Sequence, residues 1–146
     1  MTGKTHQEML QKYAEAIVKV GLNIRAGQRL IINLAATRGV PHQFAPLVRE
    51  IAKAAYAVGA RYVDVLWDDE NIKRIRLQYA DPETLTSLPE WMLHRYEEYH
   101  KRGDAELAFH SLNPDLYNGI DSDRIAITRK TLSQKIGEPL RKYSNH

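Results

Sequence analysis

Apolar positions at helical spacing open the chain and predict a first helix from about Gln7 to Val20. The stripe consists of Leu10, Tyr13, Ala14, Ile17 and Val20. Just upstream, Thr5 and Glu8 have the form of a capping box, in which each side chain satisfies a free backbone N–H at the helix start. Gly21 follows the stripe and is placed to cap the carboxyl end of the helix.

Three short apolar runs predict strands. They cover residues 30–34, 61–67 and 105–112. The first run is nearly continuous, as expected of a strand that is buried on both faces. A helical pattern from Phe44 to Val58, ended by Gly59, separates the first two runs. Because strands alternate with helices, we expect a parallel sheet with right-handed crossovers.

Turn and capping signals place the remaining helices. Ile72, Ile75 and Tyr79 mark a short helix after the second strand, and Asp81-Pro82 opens another helical turn. Ser87 to Glu90 predicts a second capping box, before a helix that ends near Gly103. A turn is predicted at Asn113-Pro114-Asp115, a last helix starts at Asp121, and Pro139 should kink or end it.

The fold class that follows is α/β, with a small parallel sheet of about three strands flanked by helices in a three-layer, Rossmann-like arrangement. The 146 residues suit one domain, residues 1–146, because a chain of this length can bury a core of its own. A sheet of three strands is small for such a fold. We therefore expect the natural protein to continue past His146.

Composition narrows the function classes. Apolar residues make up 43% and charged residues 27%, which is typical of a globular protein. The absence of cysteine excludes thiol catalysis and Cys-ligated metal sites. The net charge of +3 is not gathered into a basic stripe, so nucleic acid is not an expected partner. With no signal peptide pattern and no membrane-spanning run, we expect a cytoplasmic protein.

The stretch VDVLWDDE, Val63 to Glu70, carries the densest cluster of acids at the end of a predicted strand. Carboxylates at the carboxyl end of a parallel strand can hold a metal or a substrate. Helix capping explains the same acids without a metal, with Asp68 or Asp69 as the N-cap and Glu70 in the first turn. We favour capping, because a metal site also needs converging ligands from elsewhere in the chain.

Four residues remain as candidates for a ligand or cleft loop: Thr37, Arg38, Asp68 and His110. Thr37 and Arg38 precede the start of the second helix, where backbone N–H groups could hold an anion. His110 is the histidine best placed for function, near the carboxyl end of the third strand. No nucleotide-binding glycine loop, HExxH pair or GxSxG elbow is present, so we predict no catalytic residue and no metal ligand.

Several segments, taken together and in order, resemble a known family. They are LQKYAEAIVKVGLNIRAGQRLIIN, FAPLVREIAKAAYAVGARYVDVLWDDENIKRIRLQYA, LPEWM and NPDLYNGIDSDRI. They look like the amino-terminal part of the thermophilic metallo-aminopeptidases of the aminopeptidase T type. The resemblance covers roughly residues 9 to 143.

The resemblance implies a cytoplasmic, homodimeric exopeptidase that removes amino-terminal residues from peptides with two divalent metals, of a kind such as Co, Zn or Mg. It also implies that the catalytic residues and metal ligands lie in a carboxyl-terminal domain, beyond position 146. We therefore expect no cofactor in this chain, a missing catalytic domain as its partner, and no hydrolysis by the chain alone. The alternative is a stand-alone small-ligand or anion binding module with a Rossmann-like sheet.

Overall fold

The computed structural model describes residue 3 and residues 5–34, 38–110 and 113–143, with the side chain of Leu34 left aside. Within these ranges the chain forms two compact units. The first comprises Met1–Asp68 with Gly103–Phe109, and the second comprises Asp69–Arg102 with His110–His146.

The first unit is built on a parallel sheet of three strands. Strand β1 (Arg29–Leu34) lies in the centre, between β3 (Tyr62–Val65) and β5 (Ala105–Phe109). Leu30 pairs with Val63 on one side and with Ala105 on the other. The predicted α/β class and the parallel three-stranded sheet are thus confirmed. Two further short strands, β2 (Val40–Pro41) and β4 (Trp67–Asp68), pair with each other in parallel.

Two helices cover one face of this sheet. Helix α1 (His6–Ala16) and helix α2 (Ala45–Ala57) pack against each other and against the buried side chains of β1. The core that they share contains Ala14, Val18, Leu30, Ile32, Val48, Ile51 and Ala55. Burial of these side chains is the main stabilising contribution in the unit, at roughly 25 cal/mol per Å² of apolar surface.

Of the two caps predicted for α1, the one at its start is confirmed and the one at its end is wrong. Thr5 Oγ1 accepts from the N–H of Glu8, and Glu8 Oε2 accepts from the N–H of Thr5, so the capping box is confirmed. The cap predicted at Gly21 is wrong. A wider π-helical turn, Ile17–Leu22, carries the helix past Gly21, and Asn23 ends it in the left-handed conformation at φ 46°. Asparagine tolerates this conformation better than most residues do.

The second strand also differs from its prediction. A single strand was expected over residues 61–67, but the strand breaks at Leu66. The N–H of Leu66 donates to Ile32 in the main sheet, while its carbonyl accepts from Val40. After Leu66 the chain separates from β1, and β4 pairs with β2 instead. The local hydrophobic pattern could not predict this pairing, because the two strands are distant in sequence.

The second unit is helical. It contains α3 (Glu70–Tyr79), a 3₁₀ turn over Pro82–Thr86, α4 (Glu90–Lys101) and α5 (Ser122–Leu132). After α5 the chain continues through a π-helical segment, Ser133–Gly137, and the short helix α6 (Glu138–Leu140) to a final 3₁₀ turn, Arg141–Tyr143. Pro139 therefore does not end the helical path. The π-helical turn precedes it and takes up the change of register that proline imposes.

Among the helical segments that follow α3, two of the three predicted caps are present. Asp81 accepts from the N–H of Glu83, and Asp121 accepts from the N–H of Asp123. The box predicted from Ser87 is wrong, because Pro89 occupies the N-cap of α4 and makes no side-chain cap bond. The turn at Asn113 is confirmed by the bond from the N–H of Leu116 to its carbonyl.

Cationic side chains tie the helices of this unit together through backbone carbonyls. Arg124 of α5 donates to the carbonyls of Leu77 and Ala80 at the carboxyl end of α3. Arg74 of α3 donates to the carbonyls of Leu116 and Asn118. These carbonyls lack helical partners, and the negative end of the α3 dipole also favours the guanidinium of Arg124.

A charged cluster links α4 to the final turn. Glu97 accepts from Lys142 at 3.3 Å and lies 3.4 Å from Nδ1 of His94. Burial would raise the pKa of Glu97, but the bonds from Lys142 and His94 and the charge of Lys101 together lower it below its usual value. The hydrogen bonds to Glu97 and Tyr143 raise the pKa of Lys142. This cluster therefore keeps both of its ends charged at neutral pH.

Candidate functional site

The three acids at the end of VDVLWDDE, Asp68, Asp69 and Glu70, divide between helix capping and strand pairing. Asp69 is the N-cap of α3 and accepts from the N–H of Asn71 at 2.9 Å, and Glu70 is the first residue of that helix. Helix capping, the explanation that we favoured for Asp69 and Glu70, is confirmed. Asp68 belongs to β4, pairs with Pro41, and does not cap the helix.

Asp68 holds the start of the β2 segment at the carboxyl edge of the sheet. Its Oδ2 accepts from the N–H of Gly39 at 3.3 Å. A Cβ added to Gly39 would lie 2.5 Å from the carbonyl oxygen of Trp67 and 2.6 Å from Cβ of Asp68, so only glycine fits there. Arg38, next to it, is half-buried. Two of the sequence candidates, Arg38 and Asp68, are thus drawn to one place by the Gly39 contact.

The other two candidates are not part of this contact. Thr37 lies outside the described residues. His110 directly follows β5, is exposed, and groups with the second unit. Of the four candidates, only Arg38 and Asp68 are therefore placed at the carboxyl edge of the sheet within the described residues. The other residues of this edge were not predicted from the sequence.

An aromatic stack lies at the same edge of the sheet. The imidazole of His42 and the indole of Trp67 lie 5.5 Å apart, centroid to centroid, with an angle of 10° between their planes. His42 starts the 3₁₀ turn, His42–Phe44, that leads into α2. The stack fixes the entry to α2 over β4, so that the edge is held by side chains as well as by backbone pairing.

A buried polar pair lies between β1 and β5, and sequence reasoning missed it. Nδ2 of Asn33 donates to Oε1 of Glu106 at 2.7 Å, and the side chain of Asn33 is fully buried. Within the described ranges, Oδ1 of Asn33 accepts from no donor. A lone asparagine in the apolar run LIIN was the available signal, since a buried amide needs a partner. Its partner is 73 positions away and carries no local signal.

The place of this pair in the topology is informative. From β1 the chain crosses to β3 on one side, and from β3 it crosses back to β5 on the other side of β1. The direction of winding thus reverses between β1 and β5, and ligands of open parallel sheets bind at such a switch point, at the carboxyl ends of the strands. Asn33 and Glu106 lie between these two strands, which marks this edge as the candidate site.

The side chains of the described residues do not provide a ligand set for the metals that the resemblance implies. Among the described residues, no group of three or more histidines and carboxylates comes close enough together to hold a metal ion. The two acids of the edge, Asp68 and Glu106, accept from Gly39 and from Asn33. The described part of the chain therefore does not fit a metal centre.

None of the helices in the described ranges combines the length and the apolar character that spanning a bilayer requires.

The chain is similar to known proteins over nearly its whole length. The family model described as "Thermophilic metalloprotease (M29)" matches residues 6–146. Aminopeptidase 2 of Geobacillus stearothermophilus is 41% identical over 130 residues, which are 89% of this chain and 30% of that protein. Aminopeptidase T of Thermus thermophilus is 30% identical over 121 residues, which are 83% of this chain and 28% of the relative.

A solved structure shows the same fold. The structure described as "Wild-type AmpT from Thermus thermophilus" superposes with a TM-score of 0.79 at 28% sequence identity. The superposition covers 90% of this chain and 32% of the other one. The chain spans about 30% of the length of the curated relatives that it matches. Since the family model covers nearly every residue, the chain belongs to the thermophilic metalloprotease family, M29.

Proposed function

We propose that this chain is a non-catalytic scaffold and cleft-covering domain of a metal-dependent aminopeptidase, which hydrolyses amino-terminal residues from peptides. The observation that carries the proposal is a contrast. The family model matches residues 6–146, yet the described residues contain no cluster of metal donors. A metallopeptidase must hold its metal, so this part of the fold serves the reaction in another way.

The proposal gives this chain and the catalytic domain different roles. The chain is the amino-terminal part of a two-domain, cytoplasmic enzyme, and its partner is the catalytic domain of the same protein. That domain holds the divalent metal, of a kind such as Co, Zn or Mg. Relatives that bear the name aminopeptidase are about three times as long as the match, which leaves room for such a domain. The enzyme acts as a homodimer.

Within this proposal, the carboxyl edge of the sheet forms one wall of the peptide cleft. The edge presents Arg38, Asp68 and the switch point beside Asn33 and Glu106. Charged and polar groups there can orient a peptide by hydrogen bonds without touching the scissile bond. Such contacts are made equally in the ground state and in the transition state, so they set KM more than kcat.

A chimera tests the proposal. The matched 130 residues of Aminopeptidase 2 would be replaced by the corresponding residues of this chain. We expect the chimera to hydrolyse an amino-acid anilide and short peptides. Introducing Arg38→Ala into it should raise KM for a tripeptide severalfold and change kcat less than twofold, since a cleft-wall residue does not contact the reacting atoms.

The matched control is Arg102→Ala in the same chimera, because Arg102 is exposed and its ion pair with Glu98 spans 3.7 Å. A fall in kcat of a hundredfold or more with Arg38→Ala, at unchanged KM, would assign the residue to the chemistry and contradict the scaffold role. A folded, metal-loaded chimera that turned over no substrate would contradict the proposal as a whole.

A further inference from the structure

Helix α3 presents a row of large apolar side chains to solvent. Ile72 is 60% exposed, Ile75 49% and Tyr79 80%. Because these residues are three and four positions apart, they lie within about 60° of the helix circumference and form a row roughly 10 Å long. Single exposed apolar side chains are ordinary, but a contiguous group of them marks an interaction site. We refer to this row as the α3 stripe.

The charged residues of α3 are on its covered side instead. Arg74 and Arg76 each donate to two backbone carbonyls of the same helical unit. All charged residues of the helix are half-buried, namely Glu70, Lys73, Arg74 and Arg76. The exposed positions carry no charge, and they are Asn71, Ile72, Ile75, Gln78 and Tyr79. A helix that faces only water shows the opposite arrangement, with its charges outside.

Helix α4 of the same unit is the natural comparison. Its exposed positions include the charged or ionisable residues Glu90, His94, Glu98 and Lys101. The ordinary pattern of a solvated surface is therefore present in this unit, and α3 departs from it. Depletion of charge together with exposed isoleucine and tyrosine is typical of the centre of a protein–protein interface, and uncharged polar residues such as Asn71 and Gln78 are typical of its rim.

The size of the stripe decides which kind of partner it fits. Two separate proteins that form a stable complex bury roughly 800 Å² each, from about 20 residues or more, which three side chains do not supply. A domain in the same polypeptide is held at a high effective concentration, so a smaller apolar contact is enough to dock it. The relatives named aminopeptidase provide such a domain, since the match covers only 30% and 28% of their lengths.

We propose that the α3 stripe is a docking face for the catalytic domain of the same protein, which covers Ile72, Ile75 and Tyr79 with an apolar, uncharged surface of its own. This inference rests on the proposed function, because the catalytic domain is taken from it. It adds a second role for the chain, since the helical unit then holds the catalytic domain in place while the sheet edge contacts the peptide.

Ile75→Glu tests the proposal in two proteins, the 146-residue chain and the chimera with Aminopeptidase 2 described above. In the chain alone the position is exposed, so the thermal midpoint should change by less than about 2 °C. In the chimera the new carboxylate is buried without a partner, so the midpoint should fall by at least about 5 °C. Differential scanning calorimetry measures both. Ile75→Ala is the milder variant, expected to lower the midpoint of the chimera alone, and it decides the matter if the Glu variant does not accumulate.

Val20→Glu is the matched control, because Val20 is 82% exposed and lies in the first unit. It should change the midpoint by less than about 2 °C in both proteins. A loss with Ile75→Glu that is equal in the chain and in the chimera would assign the stripe to packing within the unit and overturn the proposal. An unchanged midpoint of the chimera would also overturn it.

Light scattering after size exclusion distinguishes a second copy as the occupant. We expect the 146-residue chain to be monomeric at about 100 µM, since the stripe is too small for a stable dimer. A dimer that Ile75→Glu dissociates would overturn the assignment to the catalytic domain. Calorimetry detects docking whether or not the chimera is active, so an inactive chimera that shows the expected shift would contradict the proposed function and leave the docking face supported.

Discussion

Asp104→Ala is expected to lower the free energy of unfolding by about 3 kcal/mol, because it leaves a largely buried guanidinium without its carboxylate. Asp104 accepts two hydrogen bonds from Arg29 and also forms an ion pair with its guanidinium. Oδ1 receives the backbone N–H of Arg29 at 3.1 Å, Oδ2 receives Nε at 2.7 Å, and Nη2 lies 2.6 Å from Oδ2. The side chains are only 17% and 7% exposed, so water does not replace the lost partner.

Urea unfolding followed by circular dichroism measures this effect, and the thermal midpoint should fall by about 10 °C. Arg102→Ala is the control, since it removes an exposed ion pair of 3.7 Å and should cost less than about 1 kcal/mol. Equal effects of the two substitutions would show that the Arg29–Asp104 pair does not hold the amino-terminal ends of β1 and β5 together.

Gly39→Ala is expected to cost about 2 to 3 kcal/mol by overpacking. The new methyl group would lie 2.5 Å from the carbonyl oxygen of Trp67, and backbone cannot move aside as a flexible side chain can. Relief of the clash requires β2 to separate from β4, which would also break the bond from Gly39 to Asp68. Trp67 fluorescence should report the separation, because the indole stacks on His42.

Gly21→Ala is the matched control for this substitution. Gly21 lies in the π-helical turn, and a Cβ there would meet no atom within 4 Å. Alanine loses less backbone entropy on folding than glycine does, so this variant should be neutral or more stable by up to about 1 kcal/mol. A Gly39→Ala protein as stable as Gly21→Ala, with unchanged Trp67 fluorescence, would contradict the close packing of the edge.

Helix caps show which features of the fold the sequence could predict. Caps such as Thr5, Asp69 and Asp121 depend on neighbours within three positions, and the structure has them as predicted. Ser87 failed although its spacing was right, because Pro89 already occupied the N-cap. Gly21 failed because a π-helical turn, which local propensity does not indicate, moved the end of the helix to Asn23.

The candidate site was less predictable than the fold, because its contacts join distant parts of the chain. Gly39 and Asp68 are 29 positions apart, and Asn33 and Glu106 are 73 apart. The strand over residues 61–67 was identified from its apolar pattern, but its break at Leu66 depends on the pairing with Val40. Resemblance to the family supplied what periodicity could not, namely membership of the thermophilic metalloprotease family, which the family model confirms over residues 6–146.

The central claim is that this chain shapes a peptidase without performing the hydrolysis itself. The most direct measurement is turnover of an amino-acid anilide by the purified 146-residue chain, with stoichiometric Co²⁺ or Zn²⁺ and with Aminopeptidase 2 as the positive control. We predict a rate no higher than that of the metal alone, since the described residues supply no set of ligands to hold the ion. Clear turnover by the chain, abolished by EDTA and restored by the metal, would contradict the account.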